Sequence, residues 1–122
     1  MIGYVTLGTN NLARAATFYD ALLAEVGAQR AMETERYIAW ASAPDKPMLL
    51  LIKPFDGQPA TVGNGVMVAF AMDSQEKVAA FYNKAIALGA TDEGAPGQRG
   101  KGFYAAYCRD LDGNKLDAYC LG

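Results

Sequence analysis

The sequence predicts an α+β fold made of two βαβββ modules, residues 1–53 and 64–122, joined by a linker at 54–63. Three observations carry that prediction. The chain is written twice, each copy opens with an apolar strand followed by an amphipathic helix, and each copy closes with short strands joined by tight turns. The stretch "YVTLGTNNLARAATFYDALL" from Tyr4 aligns with "MVAFAMDSQEKVAAFYNKAI" from Met67, which sets Phe18-Tyr19 over Phe81-Tyr82. Further on, "YIAWASAPDKPMLLLI" from Tyr37 aligns with "YAAYCRDLDGNKLDAY" from Tyr104. The drift between the two alignments falls in loops, where insertions are tolerated.

The first strand is expected over Ile2 to Gly8 and its counterpart over Val66 to Met72. In the first copy a helix follows, with Asn10 or Asn11 as N-cap and Gly27 as stop. Its apolar face is Leu12, Ala15, Phe18, Tyr19, Leu22 and Leu23. In the second copy Asp73 and Glu76 read as a capping box. Val78, Phe81, Tyr82, Ala85 and Ile86 form that helix's face, and Gly89 stands at the C-cap. The aromatic pair in each helix is expected to pack in the core. The turns "APDKP" and "RDLDGN" suit hairpins, and "KPFDGQPATVGNG", with its prolines and glycines, reads as the linker. One module alone leaves a sheet face bare, so two must pack together, within a chain or across a dimer.

Composition narrows the function classes. The chain has 122 residues, enough for one domain with a substantial core. Its 11 basic and 13 acidic residues are interspersed and give a net charge of −2, which leaves no footprint for nucleic acid or an anionic membrane. No apolar run reaches membrane-span length, and "MIGYVTLG" lacks the basic start of a secretory leader, so a cytoplasmic protein is expected. There is no histidine, and the two cysteines, Cys108 and Cys120, make no disulfide framework or thiolate cluster. A small-molecule or protein partner is the remaining expectation.

Strand alternation then assigns faces. Pairing Arg109 with Asn114 across the last hairpin sets Tyr104 opposite Tyr119, Ala106 opposite Asp117 and Cys108 opposite Lys115. It also puts the two cysteines on opposite faces of the sheet. Carried to the first copy, this assignment gathers Tyr4, Thr6, Tyr37, Leu50, Met67, Ala69, Tyr104, Asp117 and Tyr119 on the faces turned away from the helices. The result is an aromatic-lined candidate pocket with one inward carboxylate.

On these residues the chain resembles the vicinal oxygen chelate superfamily, which takes in glyoxalase I, bleomycin-resistance proteins and extradiol dioxygenases. The resemblance spans the whole chain and is carried by the paired modules, the "FY" of each helix, "PFDGQPATVGNGVMVAF" and "GFYAAYCRDLDGNKLDAY". It implies two cupped four-stranded sheets around a cleft, often in homodimers. Metal-dependent members carry a histidine on the first strand of each copy and a carboxylate on the last. Those places correspond here to Tyr4, Leu50, Met67 and Asp117. Only Asp117 is a hard oxygen ligand, whereas open catalytic metal sites generally need about three protein ligands. No metal cofactor is therefore expected.

Other motifs dissolve on inspection. "DLDGN" starts like a calcium loop but has Lys115 and Leu121 where glycine and glutamate belong. "GAPGQRGKG" lacks P-loop spacing and reads as a flexible loop, in which Arg99 and Lys101 are candidates to clamp an anionic ligand. Cys108 beside Lys115 would have a lowered pKa but lacks a general base. Asp117 is the sharpest candidate, because desolvation should raise its pKa. Three functions follow. The first is a protein that binds a small, partly apolar molecule with Asp117 and tyrosine hydroxyls orienting it. The second is a metal-independent lyase or isomerase of glyoxalase type, with Asp117 as base and Tyr4 or Tyr104 as hydroxyl donor. The third is a structural or regulatory dimer.

Overall fold

The computed structural model describes all residues, 1–122, and the chain divides into two compact units, Met1–Val62 and Gly63–Gly122. Each unit is one βαβββ module. The first contains β1 (Tyr4–Gly8), α1 (Leu12–Leu23), β2 (Gln29–Glu33), β3 (Tyr37–Ala41) and β4 (Met48–Ile52). Its sheet runs β1-β4-β3-β2, with β1 parallel to β4 and the other pairs antiparallel. The second contains β5 (Val68–Ala71), α2 (Gln75–Ala87), β6 (Thr91–Gln98), β7 (Phe103–Arg109) and β8 (Lys115–Leu121), in the corresponding order β5-β8-β7-β6. These mixed sheets are the α+β architecture that the repeat predicts.

In the first unit Asn11 caps α1 by accepting from the Arg14 N–H at 3.0 Å. Asn10 is occupied elsewhere: its Oδ1 accepts from the Ala60 N–H at 2.7 Å and its Nδ2 donates to the Ala60 carbonyl at 3.1 Å. Strand β1 begins at Tyr4 rather than Ile2, because its partner β4 begins at Met48, directly after Pro47, which has no N–H for a ladder. Phe18, Tyr19, Leu22 and Leu23 of α1 are buried together with Ile38, Trp40, Leu49 and Leu51. The Trp40 Nε1 donates to Asp20 Oδ1 at 2.9 Å, so the one polar atom of the largest core side chain is satisfied. Arg30 grips the same carboxylate through two nitrogens at 2.9 and 2.7 Å and holds it below the usual carboxylate range.

In the second unit the N-cap is Ser74, which accepts from the Lys77 N–H at 3.2 Å; the expected cap, Asp73, instead pairs with Lys77 Nζ at 2.9 Å. Ser74→Ala is accordingly expected to cost about 1 kcal/mol, whereas Asp73→Ala, which removes only an exposed ion pair, should cost about 0.5 kcal/mol or less. Urea midpoints of the two variants test that order. Strand β5 is shorter than expected and starts at Val68, leaving Met67 just ahead of it. The "GAPGQ" stretch is not a loop: it lies in β6, whose pairing with β7 is irregular between Asp92 and Gly94 and between Gly94 and Gly97.

The register of β7 with β8 differs from expectation by one residue. Asp110 and Asn114, both buried, close a three-residue loop: the Asp110 N–H donates to the Asn114 carbonyl, and the Asn114 N–H donates to Asp110 Oδ1, both at 2.9 Å. Arg109 therefore pairs with Lys115, and the ladder continues as Tyr107 with Asp117, Ala105 with Tyr119 and Tyr104 with Cys120. A slip of one residue exchanges the faces of a strand. Tyr104, Ala106 and Cys108 consequently lie on the same side as Leu116, Ala118 and Cys120, under α2. Tyr107 is on the open face, opposite Asp117. The two cysteines share a face rather than lying on opposite ones; both are buried and free.

Candidate functional site

The open face of the first sheet is as expected. Tyr4 lies opposite Met48, Thr6 opposite Leu50, Leu50 opposite Ala39, and Tyr37 opposite Ile52. Tyr4 and Thr6 are exposed, whereas Leu50 is buried.

The open face of the second sheet holds the chemistry. Across β5, β8 and β7, one row reads Ala69, Asp117, Tyr107, and the next reads Ala71, Tyr119, Ala105. Ala69 beside the carboxylate, with Ala71 and Ala105 in the next row, keeps the floor low, while Tyr107 across the ladder and the Phe103–Tyr119 pair toward the next row raise aromatic walls. The rings of that pair stack at 5.4 Å and 21°. Asp117 is only 2% exposed, and its Oδ1 is buried with no hydrogen-bond partner. Burial pushes its carboxyl above the ordinary value, and the nearby positive charges of Arg99 and Lys115 oppose that shift without cancelling it.

Both cations lie 5.5 Å from the centre of the Tyr107 ring. Arg99 also donates to the Ala95 carbonyl. Lys115 is 3.6 Å from Glu93 Oε1, which accepts from Arg109 Nε at 3.0 Å. The structure thus gathers Arg99, Ala69, Asp117 and Tyr119 of the expected residues on one sheet face, with Met67 exposed just ahead of β5. Lys101 is exposed in the β6–β7 connection. Tyr104 is corrected: the register turns it toward the helix, so it does not share a face with Asp117. Cys108 is corrected too. Buried on the helix side, its thiol is pushed up to about 12 by desolvation, with Asp110 and Asp92 adding to the shift.

Tyr107 and Glu93 were missed by sequence reasoning, whereas Lys115 keeps the face of Asp117 that alternation assigns it. The signal was present in "RDLDGN", where an aspartate and an asparagine four residues apart can close a three-residue loop.

A divalent metal, which the resemblance implies for many relatives, does not fit the residues at the corresponding places. Leu50 has no donor atom, Met67 offers a soft thioether, and Asp117 is flanked by two cations whose charge opposes another cation. No group of three or more Cys, Asp or Glu side chains is arranged to hold a metal ion.

Comparison with known proteins bears on the whole chain. Residues 1–118 match the family model of the Glyoxalase/Bleomycin resistance protein/Dioxygenase superfamily. A glyoxalase/bleomycin resistance protein from Albidiferax ferrireducens T118 is 38% identical, covers 100% of this chain and 99% of its own, and superposes with a TM-score of 0.91. A glyoxalase/bleomycin resistance protein/dioxygenase family enzyme from Burkholderia phytofirmans PsJN is 18% identical, with coverage of 98% of each chain and a TM-score of 0.78. A lactoylglutathione lyase from Agrobacterium tumefaciens is 21% identical, covering 98% of this chain and 92% of its own at a TM-score of 0.72. The last two likenesses show the fold alone. No curated protein matches the sequence. No helix is long and apolar enough to cross a membrane. The family model and the Albidiferax likeness together show that this chain belongs to the glyoxalase/bleomycin resistance protein/dioxygenase superfamily.

Proposed function

We propose that this chain binds a small, partly apolar molecule on the open face of its second sheet, without a metal ion. The observation that carries the reading is the buried, unpartnered Oδ1 of Asp117, set between aromatic walls over a floor of alanines. A buried polar atom without a partner costs about 1–3 kcal/mol, and a ligand that donates to it recovers that cost. The donor set supports the metal-free part, since Asp117 is the one hard ligand among the family's metal positions. The same reading takes the protein as a cytoplasmic homodimer.

A second reading makes the face catalytic, as a metal-independent lyase or isomerase of glyoxalase type. The raised pKa of Asp117 favours it, because a carboxyl shifted toward neutral pH is a better proton acceptor. Tyr104, turned toward the helix, is not its hydroxyl donor.

A thermal-shift screen of small acids, amides and aromatic alcohols, followed by Asp117→Asn, separates these readings. Under binding, Asp117→Asn weakens affinity and no hit is turned over. Under catalysis the same change lowers turnover by about a hundredfold or more. If no compound raises the melting temperature, both readings fail and a structural or regulatory dimer is left. Stoichiometric zinc, nickel, manganese or iron in protein purified without added metal would contradict the metal-free part.

A further inference from the structure

Arg99 is held in place with unusual care for an exposed residue. Its guanidinium rests in a notch made by two glycines of β6: a Cβ on Gly94 would lie 3.0 Å from Nη2, and one on Gly97 would lie 3.0 Å from Nη1. The Ala95 carbonyl accepts from Nη2 on one side and the Tyr107 ring backs the plane on the other. No carboxylate pairs with it, in contrast to Arg30, which pairs with Asp20 and Glu33, and Arg109, which pairs with Glu93. A guanidinium has five N–H donors in a rigid fork, and here most of them are left unused. Asp117, directly across the ladder from Tyr107, is likewise left with an unused acceptor.

We infer that Arg99 and Asp117 form a two-point receptor for a small molecule that carries a carboxylate beside a hydroxyl or N–H donor. The Arg99 fork takes the carboxylate, for which its planar geometry is matched. Asp117 Oδ1 accepts from the neighbouring donor, and the Tyr107 and Tyr119 rings enclose the ligand's apolar part. Because the glycine notch and the Tyr107 ring fix the guanidinium before the ligand arrives, little side-chain entropy is lost on binding. The inference rests on the ligand-binding face proposed above and names the class of ligand that face selects.

Backbone-amide NMR with mandelate and N-acetylglycine tests it, since the two probes share only the carboxylate and the adjacent donor. Methyl mandelate lacks the charge, and phenylacetate lacks the donor. Both probes are expected to move the amide signals of Gly97, Tyr107 and Asp117, and each control to bind at least tenfold more weakly than mandelate. Arg99→Gln should erase the preference for mandelate over its methyl ester, and Asp117→Asn the preference for mandelate over phenylacetate. Gly97→Ala, which displaces the fork without removing it, should weaken mandelate while leaving the ester unchanged.

Equal binding of mandelate and its ester on this face overturns the receptor and leaves the binding function standing. No movement of these signals with either probe at millimolar concentration also overturns the receptor. The binding function is then judged separately, by the thermal-shift screen.

Discussion

At about pH 8, Asp117→Asn is expected to be more stable than the parent chain by about 1–3 kcal/mol, and at about pH 3 the two are expected to be equally stable. The sign follows from the direction of the Asp117 shift. Burial raises the carboxyl above its ordinary 3.8, and Arg99 and Lys115 only partly offset this. Below 3.8 the group is neutral in both the folded and the unfolded chain and takes nothing from stability. As pH rises from there, the unfolded chain ionises first, so stability falls, and the loss is complete once pH has passed the raised value of the folded state. Asparagine does not titrate. The groups around Asp117 are Arg99, Lys115, Tyr107 and Tyr119, with Glu93 beyond Lys115. All remain in the variant. Urea unfolding of both proteins across this range measures it, and parallel pH profiles would show that Asp117 is not an unsolvated carboxyl. A gain in stability from removing a polar side chain is a common mark of a functional position.

Trp40→Ala is expected to cost about 3–5 kcal/mol, a large share of the 5–15 kcal/mol typical of a domain. Trp40 is 1% exposed, its ring lies 5.8 Å from that of Tyr19, and Tyr19 meets Phe18 edge-on at 5.0 Å. Deleting the indole opens a cavity under α1 and also takes one hydrogen bond from Asp20. Trp40→Phe separates the two losses. It keeps most of the packing and forfeits the Nε1 bond, worth about 1 kcal/mol, while Arg30 still holds the carboxylate. Urea denaturation of the three proteins gives the order, and a Trp40→Ala loss of 1 kcal/mol or less would mean that the first unit's core lies elsewhere.

The architecture was legible because each module writes its periods clearly. The faces of β1, β3 and β4 are those that strand alternation and the repeat assign, and Trp40, Leu49, Phe18 and Tyr19 meet where the helix period sends them. The last hairpin was not legible to the same degree. Whether Asp110 belongs to the strand or to the loop is decided by its buried hydrogen bonds with Asn114, and that one-residue choice exchanges Tyr104 for Tyr107 on the site face. The α2 cap turned on a similar choice between neighbours, since Asp73 and Ser74 are both good N-cap residues. The setting of Arg99 could not be read at all. Its glycine notch depends on the irregular pairing of β6, which brings Gly94 and Gly97 beneath one guanidinium, and no local pattern encodes that approach.

The proposed function turns on one carboxyl: Asp117 is buried on the open face of the second sheet with an acceptor atom unused, and the proposal has it hold a ligand without a metal. The direct test is to treat the protein with a chelator and record its amide spectrum while the strongest thermal-shift hit is titrated in. The signals of Ala69, Ala105, Tyr107, Asp117 and Tyr119 are predicted to move together, to the same extent with and without chelator. Movement confined to other residues, or binding that vanishes with the chelator and returns with a divalent ion, would contradict the account.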